Sequence, residues 1–111
     1  MDKLLKEIQD KALDAQQQYR SVSMMIASKE RQNKMNQLTL RELSDIQKDA
    51  AVYSGVGKIN VDTVKSSIDK DVKSNNEDVE ALKKKLNYYE TTLKNATEHI
   101  VRVQQANNAG N

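Results

Sequence analysis

The sequence has no cysteine, proline, phenylalanine or tryptophan, and it has a single histidine among 111 residues. The lack of cysteine excludes disulfides and thiolate metal sites, which fits a reducing compartment. The lack of proline permits uninterrupted helices. Aromatic residues make up only 4% of the chain and charged residues 31%, so there is too little bulky apolar mass for a compact globule. This composition suits long helices, and the length predicts one domain over residues 1–111.

Long apolar runs and an excess of one charge are also missing. No run approaches the roughly 20 apolar residues of a membrane span, and the start of the sequence lacks the apolar core of a signal peptide. The net charge is +2, which is too balanced to indicate a polyanion as partner. We therefore expect an intracellular, soluble protein that binds neither a membrane nor nucleic acid.

Residues that carry catalysis or bind cofactors form no recognisable group. His99 falls at an outward-facing helix position, and no triad or metal-ligand pattern surrounds it. Residues 55–57 contain two glycines but lack the spacing and the following Lys-Ser/Thr of a phosphate loop. The lysines at 83–85 face outward and lack the stacking aromatics of a nucleic-acid site. The sequence thus predicts no catalytic, cofactor-binding or metal-binding residue, so we do not expect an enzyme.

The middle of the sequence, residues 51–62, concentrates β-branched residues and two of the three glycines. A two-residue turn at Gly57-Lys58 puts glycine where a type II′ turn needs a positive φ, so this segment is predicted to be a β-hairpin. An isolated hairpin is only marginally stable in water, and we expect strands of other subunits to complete it. Side chains alternate along a strand, so one face of the hairpin holds Val52, Val56, Ile59 and Val61.

Apolar residues recur at alternating steps of three and four in the first arm, which predicts a helix over about residues 2–38. Three heptads of a and d positions hold Leu5, Ile8, Ala12, Ala15, Tyr19, Val22 and Ile26. Further on, apolar residues return out of register, at Met35 and Leu38, so we expect the apolar seam to shift or loosen. The original register there holds Lys29, Asn33 and Asn36.

A capping box follows the first arm. Thr39 and Glu42 have the spacing at which a threonine hydroxyl and a glutamate carboxylate satisfy each other's backbone amides at a helix start. This pattern predicts a short second helix over about residues 40–47, with a break in chain direction after Leu38.

The second arm is predicted to be a helix over about residues 63–105, followed by a frayed tail at 106–111. Its apolar stripe keeps one register for five heptads, which is a strong coiled-coil pattern. Asn75 is the one polar residue in the stripe, and such residues commonly fix register. Because the chain reverses between the arms, we expect them to run antiparallel. The stripe consists of Ile68, Val72, Asn75, Val79, Leu82, Leu86, Tyr89, Leu93, Ala96, Ile100 and Val103.

This layout of helix, hairpin and helix resembles the β-class subunits of prefoldin. The local likeness lies at residues 38–43, at residues 85–90 and in the run Val52-Tyr53-Ser54-Gly55-Val56-Gly57-Lys58. The resemblance implies an all-α dominated fold, a long antiparallel two-helix coiled coil with one β-hairpin at its apex. Hairpins of neighbouring subunits would join into an inter-subunit β-barrel. The residues implied in assembly are Val52, Tyr53, Val56, Gly57, Ile59 and Val61.

The resemblance also implies an activity. Two α-class and four β-class prefoldin subunits form a cytoplasmic hetero-hexamer, which holds unfolded proteins, notably actin and tubulin. The hexamer passes them to the cytosolic chaperonin without using ATP. Two alternatives stay open: a structural coiled-coil tether, and a prefoldin-like subunit of a different assembly complex.

The residues themselves suggest where an unfolded chain would bind. In an antiparallel pairing the two ends of the sequence meet, and separation of the helices there would expose apolar side chains. Exposed apolar patches on a charged surface usually mark interaction sites. The alternative is that these residues only close the coiled coil. The predicted client-binding residues are Leu4, Leu5, Ile8, Ile100, Val101 and Val103.

Overall fold

The computed structural model describes residues 2–50 and 55–109, and the side chains of residues 2–46 and 61–108. All of these residues are helical. Helix α1 spans Asp2–Ala50 with 49 residues, and helix α2 spans Gly55–Ala109 with 55 residues. The chain divides into two compact units. The first unit comprises Met1–Met25 and Leu82–Asn111, and the second comprises Ile26–Ala81.

Contacts in the second unit show that the helices run antiparallel there. Lys29 pairs with Asp78, Asn33 with Asn75, and Ser44 with Lys65. Rising numbers along α1 thus match falling numbers along α2. The predicted two-helix coiled coil agrees with this pairing, whereas the predicted strands do not occur in the described residues.

The apolar seam lies at the predicted a and d positions of both helices. Every predicted seam residue of α1 from Leu5 to Ile26, and of α2 from Ile68 to Val103, is buried or half-buried. The seam of α2 also begins earlier than predicted, because Lys65 and Val61 are half-buried one and two helical turns before Ile68. The buried apolar side chains are Ile8, Ala15, Val22, Val79 and Val103.

The predicted β-hairpin at 51–62 is wrong. Val56, Gly57, Ile59 and Val61 lie in α2, and no described glycine has a positive φ, so Gly57 does not form the type II′ turn. Val52 and Tyr53 lie outside the described residues. The helix satisfies its backbone hydrogen bonds within one segment, whereas a two-stranded hairpin leaves its edges unpaired. The apolar residues at 56, 59 and 61 were misinterpreted because a short apolar run fits either period.

The predicted break after Leu38 is also wrong, since α1 continues to Ala50 without interruption. The Thr39 hydroxyl donates to the carbonyl of Met35 at 2.9 Å, an interaction of a threonine inside a helix and not of an N-cap. The seam keeps its register here. Met35 is 64% exposed and Leu38 is also exposed, whereas Asn33 is buried.

The ends of α2 differ from the predicted 63–105, because the helix starts at Gly55 and continues through residues 106–109 of the predicted frayed tail. Within the described part of the chain, neither helix is long and apolar enough to cross a membrane.

Candidate functional site

An open groove of about 440 Å³ lies between α1 and α2 in the first unit. Four residues of α1 and five of α2 line it. The α2 residues at 88, 92, 95 and 99 follow steps of four, three and four, which places them along one face of the helix. The lining consists of Leu4, Glu7, Ile8, Lys11, Tyr88, Thr92, Asn95, Ala96 and His99. We call this groove, defined by these nine residues, the unit-one groove.

The groove combines a buried apolar floor with exposed apolar edges. Ile8 belongs to the seam and is 7% exposed, while Leu4 is 44% exposed. Tyr88 is 66% exposed, and its ring meets Tyr89 edge-on with the ring centroids 5.4 Å apart. Tyr89 is a half-buried seam residue. Because edge-to-face pairs of this kind are favourable, Tyr89 helps to hold the exposed ring beside the groove.

Charged groups of both signs, together with polar groups, surround the apolar part of the groove. Glu7 and Lys11 contribute from α1, and Asn95 and His99 from α2. The Thr92 hydroxyl donates to the Tyr88 carbonyl at 2.8 Å, so this group is satisfied within its own helix. A mixed rim of this kind does not select a ligand of one charge, and the exposed apolar edges at Leu4 and Tyr88 are the main source of binding free energy that the groove offers.

A smaller groove of about 270 Å³ adjoins the first and shares Asn95 and His99 with it. Its other lining residues are Glu98 and Arg102, whose side chains form an ion pair of 3.8 Å. Among the residues with described positions, no group of three or more His, Cys, Asp or Glu side chains is placed to hold a metal ion.

Comparison with known proteins gives two findings. A family model described as "Prefoldin subunit" matches residues 6–107. A protein of Schizosaccharomyces pombe named "Probable prefoldin subunit 1" is 40% identical over 110 residues, which cover 96% of this chain and 98% of that protein. The chain belongs to the prefoldin subunit family. The resemblance to prefoldin subunits seen in the sequence is therefore confirmed. No solved structure gives a significant match.

Family membership makes this prefoldin subunit a chaperone subunit that associates with other prefoldin subunits. The unit-one groove, with its apolar floor and its rim of mixed charge, differs from a deep pocket with a few fixed polar groups, which is typical of small-molecule sites.

The structure brings together only some of the residues predicted to bind clients. Leu4 and Ile8 line the unit-one groove, whereas Ile100, Val101 and Val103 do not. Val103 is buried, Leu5 and Ile100 are half-buried, and Val101 is exposed. Ile8 and Val103 thus belong to the core of the first unit and are not freely accessible.

Sequence reasoning missed the α2 side of the groove. His99 was considered by itself as an outward position, although the spacing of Tyr88, Thr92, Asn95 and His99 places them along one helical face. The residues predicted for assembly remain a prediction. Val61 is half-buried in α2, only the helical backbone is described at residues 56, 57 and 59, and Val52 and Tyr53 lie outside the described residues.

Proposed function

We propose that this prefoldin subunit works in a cytoplasmic hetero-hexamer of two α-class and four β-class subunits. The hexamer binds unfolded proteins, including actin and tubulin, and delivers them to the cytosolic chaperonin without ATP. The family match over residues 6–107 and the 40% identity to a protein named as a prefoldin subunit support this proposal.

The unit-one groove is the observation that carries the client-binding part of the proposal. Its volume of about 440 Å³ accommodates a few side chains of an extended segment. Unfolded chains expose apolar side chains that folded proteins bury, and the exposed side chains of Leu4 and Tyr88 offer apolar area to them. The groove is open and has a mixed rim, so the binding that we propose is weak and tolerant of sequence.

The proposed binding does not require the helices to separate. Ile8 contributes to the groove while it stays packed in the seam, and Leu4 and Tyr88 are already exposed. The earlier hypothesis of helix separation requires Ile8 and Val103 to leave the core, which costs the free energy of their burial. Val101 is exposed, and we propose that it extends the apolar surface of the first unit.

We propose that contacts with other subunits involve residues 52–61, which include the first turns of α2. The support is the sequence likeness of residues 52–58 to prefoldin subunits, and the proposal does not depend on strand pairing. The residues concerned are Val52, Tyr53, Val56, Gly57, Ile59 and Val61.

The client-binding proposal is tested in the assembled complex with the double variant Leu4→Ser/Tyr88→Ser. Light scattering after dilution of denatured actin measures how well the complex suppresses aggregation, and we expect a clear loss. The matched control is Leu13→Ser/Met24→Ser, because both residues are exposed and apolar in the same unit but do not line the groove.

The control should suppress aggregation as the unchanged complex does. Native mass spectrometry establishes that each variant complex is complete. Full suppression by a complete complex carrying the groove variant would refute the groove as client site, and so would an equal loss in the control. A complete complex that never captures denatured actin would instead favour the tether.

A further inference from the structure

Two asparagines are the buried polar side chains among the described residues, and they face each other across the second unit. The Asn75 amide nitrogen donates to the Asn33 side-chain oxygen at 3.0 Å. The Asn33 amide nitrogen donates to the Asn76 side-chain oxygen at 2.8 Å and to the Val72 carbonyl at 3.5 Å. No buried side-chain nitrogen or oxygen in the described part lacks a partner. We call Asn33, Asn75 and Asn76 the amide layer.

We propose that the amide layer sets the register in which α1 pairs with α2, and that it excludes pairings displaced by one heptad. A buried asparagine in a coiled-coil seam favours the register in which a polar group meets it, because a buried amide opposite an apolar side chain loses its hydrogen bonds. The proposal uses only contacts within the second unit and does not depend on the proposed client binding.

The rest of the seam permits a displaced pairing, because a shift of seven residues keeps every a and d position facing the partner helix. One such shift places Asn33 opposite Ile68 and Asn75 opposite Ile26. The opposite shift places Asn33 opposite Leu82 and Asn75 opposite Leu40. Each shift therefore places both asparagines opposite an aliphatic side chain and takes away the Asn33 oxygen to which the Asn75 amide donates. Only the observed register pairs them with each other.

The neighbouring ion pair of Lys29 and Asp78 discriminates less well between the observed register and the displaced ones. Lys29 occupies a seam position, and its Nζ lies 3.2 Å from Oδ2 of Asp78. The first shift exchanges Asp78 for Asp71, which carries the same charge, and only the second shift brings Lys29 to Lys85. The ion pair thus rejects one of the two displaced registers, whereas the amide layer rejects both.

Distance measurement between two spin labels tests the proposal in the full chain. The sequence has no cysteine, so Glu42→Cys and Glu80→Cys supply the two labelling sites. Both glutamates are exposed in the second unit and lie outside the amide layer. They are roughly 20 Å apart along the helix axes, and a shift of one heptad changes this separation by about 10 Å, which pulsed electron paramagnetic resonance resolves.

The decisive variant is Asn33→Leu/Asn75→Leu, which keeps the seam apolar and leaves no unpaired amide at either position. We expect one distance in the labelled parent chain and a second, displaced population in this variant. The matched control is Asn36→Leu, at a half-buried seam position outside the amide layer, which should keep one distance. A single native distance in the double variant would overturn the proposal, as would an equal displaced population in the control.

Discussion

Lys29 and Asp78 form an ion pair between α1 and α2, with Nζ 3.2 Å from Oδ2 and about a third and a half of the two side chains exposed. Solvent screens a pair of this exposure, so its contribution to stability is small, on the order of 0–1 kcal/mol. We expect Asp78→Asn to lower the free energy of unfolding by that amount at low salt. The difference should shrink at about 1 M salt, where the screening length falls to about 3 Å. Urea titrations at both salt concentrations measure it.

The pair of Glu98 and Arg102 is the control for this prediction. It joins neighbouring turns of one helix at 3.8 Å and is more exposed than the first pair. Glu98→Gln should therefore change the free energy of unfolding less than Asp78→Asn does. An Asp78→Asn loss that is unchanged by salt would contradict the electrostatic explanation.

Core packing at Ile8 should contribute more to stability than any surface contact of the first unit. Ile8 is 7% exposed and Leu13 is 55% exposed on the same helix. Truncation of a buried isoleucine leaves a cavity and costs about 2–5 kcal/mol, whereas surface substitutions usually stay within about 0.5 kcal/mol. We expect Ile8→Ala to lower the midpoint of thermal unfolding sharply and Leu13→Ala to leave it almost unchanged. Equal effects of the two substitutions would show that the seam is wrongly placed.

Thr39 should be dispensable for stability. Its hydroxyl donates back to the Met35 carbonyl inside α1, and alanine is the better residue in a helix interior by up to about 0.7 kcal/mol. Thr39→Ala should therefore be neutral or slightly stabilising in urea unfolding. If Thr39 were an N-cap, the same substitution would cost about 1 kcal/mol, and that result would support the helix break that the structure contradicts.

Gly57 gives a test of the helical start of α2. Gly57 is the third residue of this helix, and no described glycine has a positive φ. Alanine is favoured over glycine in a helix by up to about 1 kcal/mol, so Gly57→Ala should be neutral or stabilising. A left-handed glycine would instead lose about 1–2 kcal/mol on substitution. Circular dichroism during thermal unfolding distinguishes the two signs.

The long coiled-coil seam of this fold could be predicted from the sequence, whereas the helix ends and the absence of a break within each helix could not. The seam from Leu5 to Ile26 and from Ile68 to Val103 repeats over many turns, so one helical period explains it and no other period does. The capping box at Thr39 and the apolar run near Val56 are only a few residues long. Such short signals fit two structures, and a few residues of periodicity do not distinguish a strand or a helix break from a continuous helix.

Asn33 shows a second limit of sequence reasoning. A polar residue at a seam position predicts a loosened seam unless its partner is known, and that partner, Asn75, lies 42 positions away in the sequence. The unit-one groove illustrates the same limit. Leu4 and Ile8 could be predicted as part of an apolar surface, but the contribution of Tyr88 and His99 depends on how the two helices face each other.

The central proposal is that this prefoldin subunit works in a six-subunit complex, and its most direct test is native mass spectrometry after co-expression with the five other subunits. We predict a single major particle that contains six chains and one copy of this subunit. Recovery of this chain only as a free monomer or as a homo-oligomer, beside a complex that lacks it, would contradict the account.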